Sequence, residues 1–204
     1  MPPRSVVRSQ AKALVTETRA RAGLIARWTA LLWAIEIVDL VVVHGGLDAF
    51  GVRPRVVSGL LGIPLMPLLH GGLPHLIANT VPFIILGWLT TSRKRMDFWV
   101  VGAVSTLTAG LLAWVFGAAG SVHIGASGVV FGFLGFLMGR GFWERKAGAV
   151  VLSLLVTLTF GGMLWGMVPV LAGVGISWEG HLGGFLGGLL CARTLGQARA
   201  KTRK

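Results

Sequence analysis

The sequence predicts an all-α membrane protein of six transmembrane helices, and three observations carry that reading. Of 204 residues, 54% are hydrophobic and only 13% are charged, far from the balance of a water-soluble domain of this size. Apolar stretches of roughly 15 to 25 residues recur along most of the chain, the length a helix needs to cross a hydrocarbon core of ~30 Å. The basic residues fall between those stretches, which turns a net charge of +12 from a nucleic-acid signal into a topological one. No polar block is long enough to fold separately. The expected organisation is a basic cytoplasmic segment at 1–21, one membrane domain at 22–196 and a basic cytoplasmic tail at 197–204.

The leader carries Arg4, Arg8, Lys12, Arg19 and Arg21 and should stay in the cytoplasm. No small-residue cleavage site follows the first apolar run, so Ala22 to Val43 reads as an uncleaved anchor helix. Next comes GGLDAFGVRPRVVSGLLGIPLMP, from Gly45 to Pro67, too rich in Gly and Pro for a spanning helix yet strongly apolar. It is expected to lie partly submerged at the outer interface as a compact loop, because backbone polar groups at that depth must be satisfied internally.

Spans two and three follow at about Leu73 to Leu89 and Phe98 to Ala118, and spans five and six at about Ala147 to Val170 and Gly180 to Leu195. The fourth, Ala126 to Met138, is too short for ~30 Å at ~1.5 Å per residue, so either it begins below the membrane surface or it is no span at all. Charge decides that it is nevertheless a crossing. With the amino terminus inside and six alternating spans, seventeen basic residues lie inside and only Arg53 and Arg55 outside. Without the fourth span, the last two basic clusters fall on the wrong side.

The lone cysteine, Cys191, excludes an internal disulfide and any Cys-based metal cage, and reads as a packing residue. A His-only metal site from His70, His75, His123 and His181 lacks any accompanying H-E-x-x-H motif, so neither metal nor cofactor is expected. His44 and His123 read as interface residues. Glu36 and Asp39 on span one read as structural groups that hydrogen-bond to the outer loop or another helix.

Three spans that enter from outside open with polar residues: HGGLPHLIANT on span two, GASGVVFG on span four and EGHLGGFLGG on span six. His75 and Asn79 are four apart and share a helix face. Ser127 stands at a helix amino terminus, where free N–H groups favour a developing negative charge. His181 stands at the start of span six. A serine hydroxyl needs a base to become a nucleophile, and Asn, His and backbone N–H groups can hold an oxyanion. These are the parts of an acyl-transfer site at one depth. Gly128, Gly132 and Gly135 on span four and Gly180, Gly184 and Gly188 on span six would let those two helices approach closely and bring Ser127 to His181.

These residues resemble the rhomboid intramembrane proteases over nearly the whole chain. The G-x-S-G of Gly125, Ser127 and Gly128 looks like that family's nucleophile motif, and His181 followed by Gly184 looks like its catalytic base. His75 and Asn79 resemble its oxyanion pair, His70 a structural histidine, and the apolar loop its membrane-embedded first loop. One departure is Phe131, where many members place a tyrosine that stacks on the catalytic imidazole; phenylalanine stacks but cannot hydrogen-bond.

The resemblance implies a six-helix rhomboid-like bundle with a Ser127–His181 dyad and no third acidic residue. It also implies cleavage of single-span membrane proteins near the outer face, in a bacterial plasma membrane, with both termini cytoplasmic. The lipid bilayer is a partner; nucleic acid is not. Neutral His181 would take the Ser127 proton, so activity should fall as pH drops through its pKa, with ~6.5 as the unperturbed guide. Two alternatives stand: a catalytically silent binder of transmembrane helices with the same fold, and a small transporter using Glu36 and Asp39. Both Ser127 and His181 speak against the first, and the absence of an inverted repeat against the second.

Overall fold

The computed structural model describes residues 3–173 and 175–201; Arg203 and Lys204, two of the inner basic residues counted above, lie outside the described residues. Among the described residues six α-helices form: α1 Arg4–Val38, α2 Leu73–Thr90, α3 Arg95–Phe116, α4 Ser127–Glu144, α5 Ala147–Phe160 and α6 Trp178–Lys201. α1 begins well before the apolar run does. Its basic leader is rich in strong helix formers and carries an Arg21–Glu17 pair at 3.0 Å one turn apart. The helix passes into a wider turn over Asp39–Val43 and stops where His44 and Gly45 adopt left-handed backbone.

Among the described residues, three segments are long and apolar enough to cross a membrane: Leu73–Thr90, Arg95–Phe116 and Ala147–Met167. The other helices are diluted for identifiable reasons. The apolar half of α1 includes Arg21, Arg27 and Glu36, while α4 and α6 are interrupted by glycine and end in charged residues. Those two are also the enclosed ones. Every residue of α4 from Gly128 to Leu137 is buried, and α6 packs chiefly on α4 and α3. α5 buries only Ala149, Ser153 and Val156 and turns Leu154 and Leu158 outward, an arrangement that water would penalise and a bilayer would not.

α4 and α6 touch through their backbones. A Cβ on Gly184 would stand 1.9 Å from the Gly128 carbonyl oxygen, and one on Gly188 would stand 1.9 Å from that of Gly132. The pairs advance together along both chains, so the helices run parallel and start at the same end. Gly180 is not part of this ladder, since its missing Cβ faces Ser177 Oγ at 2.8 Å. A second ladder sets Gly183 and Gly187 against α3, with Cβ positions 2.5 Å from Thr108 O and 2.3 Å from Thr108 Oγ1.

The segment between α1 and α2 folds as short 3-10 turns, Gly46–Phe50, Val57–Gly62 and Met66–Leu68. It closes on itself where a Cβ on Gly62 would stand 2.3 Å from Gly51 O. It is fastened to α3 and the following loop by Trp114 Nε1–H donating to Val56 O at 2.8 Å and by a two-way backbone bridge between Val52 and His123. Asp39 Oδ1 accepts from Leu47 N–H at 2.9 Å, tying the end of α1 to the same loop. Asp48, in that loop, is pushed above the usual aspartate range, mainly by burial and then by the charge of Asp39. At the opposite end, buried Arg140 pairs with Glu144 at 3.1 Å and donates to Ser92 Oγ at 3.0 Å, and Glu144 also pairs with Arg93.

Candidate active site

Ser127 is the first residue of α4, and the turn that delivers it is held by the segment between α1 and α2. Gly125 has φ +115°, a conformation that favours glycine. Its N–H donates to Met66 O at 2.8 Å, and the next N–H, of Ala126, donates to His70 Nε2 at 3.3 Å. His70 is 1% exposed; burial first, and the neighbouring His75 second, hold it down to about 4. It is therefore neutral at physiological pH with its proton on Nδ1, and its Nε2 braces the turn before Ser127.

Because Val130 N–H makes the first intrahelical bond, to Ala126 O, the N–H groups of Ser127, Gly128 and Val129 lie in the donor-rich first turn of α4. His75 Nδ1 accepts from Gly71 N–H at 3.4 Å, leaving the proton of the neutral ring on Nε2. That Nε2 edge lies over Gly125. A Cβ there would stand 2.7 Å from His75 Nε2 and 3.6 Å from Ser127 Oγ, so the gap between the two side chains exists because residue 125 has none. Asn79, buried, donates one amide hydrogen to His75 O at 3.1 Å and keeps the second.

His181 sits in the first turn of α6, and its ring is fixed on two sides. Nδ1 lies 2.9 Å from Gly166 O, and since a carbonyl only accepts, Nδ1 carries the proton and Nε2 of the neutral ring has the free lone pair. The face of the ring stacks on Phe131 at 4.2 Å between centroids and 12° between planes. Gly166 completes the cradle, with a Cβ position only 3.2 Å from Nδ1 and 3.3 Å from Phe131 Cζ. One cavity of about 850 Å³ is lined by Ser127, His181, His75 and Asn79 together.

Three features were not foreseen. Gly166 supplies the acceptor for His181, and no side-chain pattern marks a backbone carbonyl. Ser177 caps α6, its Oγ accepting from Gly180 N–H at 3.2 Å; a serine just ahead of W-E-G is a readable cap signal. His123, expected as a plain interface residue, is buried with Nδ1 2.6 Å from Ser177 Oγ and Nε2 2.9 Å from Ser121 Oγ. Burial keeps it below the usual histidine range against the opposing charge of Glu179. Among the described residues, no group of three or more His, Cys, Asp or Glu side chains is arranged to hold a metal ion.

Comparison with known proteins gives a family model, described as Rhomboid domain, that matches residues 58–198. An uncharacterized protein of Mycobacterium tuberculosis is 39% identical over 187 residues, covering 88% of this chain and 77% of its own length. A counterpart in Mycobacterium leprae is 37% identical over 185 residues, covering 88% and 73% respectively.

Proposed function

Because the chain belongs to the rhomboid family, we propose that it is an intramembrane serine protease that cuts single-span membrane proteins near the outer face of a bacterial plasma membrane. The observation that carries this reading is the cradle around His181. A ring whose Nδ1–H is held by Gly166 O and whose face is held by Phe131 is a base with Nε2 ready, in the cavity that Ser127 lines.

In this mechanism Nε2 of His181 takes the hydroxyl proton as Ser127 Oγ bonds to the peptide carbonyl carbon. The carbonyl oxygen gains the negative charge and lies against N–H groups of the first turn of α4, His75 Nε2–H and the second amide hydrogen of Asn79. Collapse breaks the C–N bond, and the leaving amine takes the proton from His181. Water then attacks the acyl-serine ester, giving its proton to His181, and Ser127 regains a hydrogen as the carboxylic acid product leaves. Gly166 O stabilises the imidazolium in each half, the part an acidic residue plays in other serine hydrolases.

The same reading has α1, α4 and α6 also crossing the bilayer, with both termini in the cytoplasm and the loop after α1 lying within the outer leaflet. The positive-inside count and the enclosure of α4 and α6 by more apolar helices support it. The test is cleavage of a single-span reporter by full-length protein in liposomes, comparing wild type with Ser127→Ala, His181→Ala and Glu36→Gln. Loss in the first two alone is expected. A wild-type protein that binds several reporters and cuts none would replace this reading with that of a silent binder of transmembrane helices.

A further inference from the structure

On the face of α4 opposite Ser127 lies a second cavity, of about 490 Å³, between α1 and α3 beneath the outer loop. Its volume suits a small ligand, but its walls are apolar: Trp28 and Leu32 of α1, Phe98 and Leu107 of α3, Phe133 of α4, and Pro64 overhead. It is open at the side, where Trp99 is 46% and Leu107 52% exposed. α3 is long and apolar enough to cross a membrane, so this opening faces hydrocarbon. Along its floor Gly102 has nothing within 4 Å of where a Cβ would stand.

Two properties select the occupant. From Phe98 to Leu107, the part of α3 that lines the groove, the helix rises about 14 Å, close to the ~15 Å depth of one leaflet, so the groove has the length of an acyl chain. About one turn below its lower end Lys94 and Arg95 are exposed; with Arg21, which shares Glu17 with Arg95, they outnumber Glu17 and the buried Asp97 of the same turn. That corner keeps a positive excess at the level of lipid phosphates, where each such charge attracts anionic headgroups.

We propose that this groove binds one acyl chain of an anionic phospholipid of the inner leaflet, its phosphate at Lys94 and Arg95 and its chain passing Gly102 to the underside of the outer loop. The inference rests on the cytoplasmic-amino-terminus orientation given above, not on proteolysis. Its upper end meets the catalytic turn: Ala126 lines the groove while its N–H is held by His70. The lipid chain therefore backs the turn that presents Ser127.

The experiment is native mass spectrometry of the full-length protein in detergent, titrated with dioleoyl-phosphatidylglycerol or dioleoyl-phosphatidylcholine. Wild type and Ser127→Ala should both retain one phosphatidylglycerol in preference to phosphatidylcholine. Gly102→Phe, whose ring enters the open floor, should lose that bound lipid at an unchanged melting temperature. Lys94→Gln combined with Arg95→Gln should still hold a lipid but lose the anionic preference, by roughly fivefold per charge removed. Equal retention of the two lipids by wild type, or undiminished phosphatidylglycerol binding by a folded Gly102→Phe, would overturn the proposal. Should Gly102→Phe fail to fold, an unchanged preference in the Lys94/Arg95 variant would do the same. No readout depends on cleavage, so an inactive wild-type protein would leave the lipid site standing.

Discussion

His181 Nδ1 lies 2.9 Å from the carbonyl oxygen of Gly166, and this one contact fixes the tautomer of the imidazole with a backbone acceptor. An orientation set this way has no titrating partner of its own and depends on how closely residue 166 approaches the ring. Gly166→Ala places a methyl 3.2 Å from Nδ1, and Gly166→Val adds two more carbons at the Phe131 edge. Reporter cleavage should fall moderately in the first and by at least ~10²-fold in the second, with reporter binding retained. Equal activity of the valine variant and wild type would show that this contact does not position the base.

Phe131 offers a graded test of the same ring. Its stack with His181 should contribute about 0.5–1.5 kcal/mol beyond packing, so Phe131→Leu should lower the cleavage rate by about tenfold or less. Phe131→Tyr, which preserves the stack, should stay near wild type. A leucine variant indistinguishable from wild type would leave the stack with no catalytic consequence.

Asn79→Ala and His75→Ala should each reduce the turnover rate by about 10²-fold, the usual cost of deleting one oxyanion donor. Labelling of Ser127 by a small fluorophosphonate would show whether the nucleophile itself survives. If turnover is unchanged while labelling is intact, the oxyanion assignment fails.

The helix ladder predicts a stability effect. Gly184→Ala sets a methyl 1.9 Å from Gly128 O, and backbone on both sides leaves nothing flexible to move, so it should cost at least about 1–3 kcal/mol. Gly102→Ala, which meets open space, should be nearly silent. Melting temperatures in detergent decide between these outcomes. Gly184→Leu should be inactive.

Acid should loosen the fold through His70. Its pKa is lowered from 6.5 to about 4, so the folded state resists a proton that the unfolded chain accepts. Stability is complete above 6.5, declines as pH falls toward 4 and levels off below, with about 3 kcal/mol lost through this one group. His70→Gln should flatten the stability profile across that window. A profile with the same slope as wild type would assign the acid sensitivity elsewhere, His123 being the next candidate.

The helical architecture was legible because apolar runs and basic clusters are additive signals, each readable without knowing its neighbours. So were the residues that line the main cavity, because polar side chains are rare in such helices and Ser127, His181 and His75 stand at helix starts, with Asn79 one turn beyond His75. Contacts made by backbone were not legible. Gly166 O and Met66 O belong to residues whose side chains say nothing of their carbonyls. The extent of α1 was not legible because hydropathy reports apolar length, not how far a helix of Arg, Ala, Lys and Glu continues beyond it. The burial of His123 was not legible because, besides the neighbouring Ser121, its partner is Ser177, 54 residues away in a loop that only the folded chain brings to it.

The parallel ladder between α4 and α6 has a further consequence. Side-chain interfaces hold their spacing as a compromise among many rotamers, and temperature or a substitution shifts the compromise. Carbonyl against glycine Cα has no such freedom: the separation is that of two hard surfaces. The two helices that carry Ser127 and His181 thus share a built-in gauge, and the surrounding helices can drift in sequence over generations, or breathe within one molecule's lifetime, without resetting it.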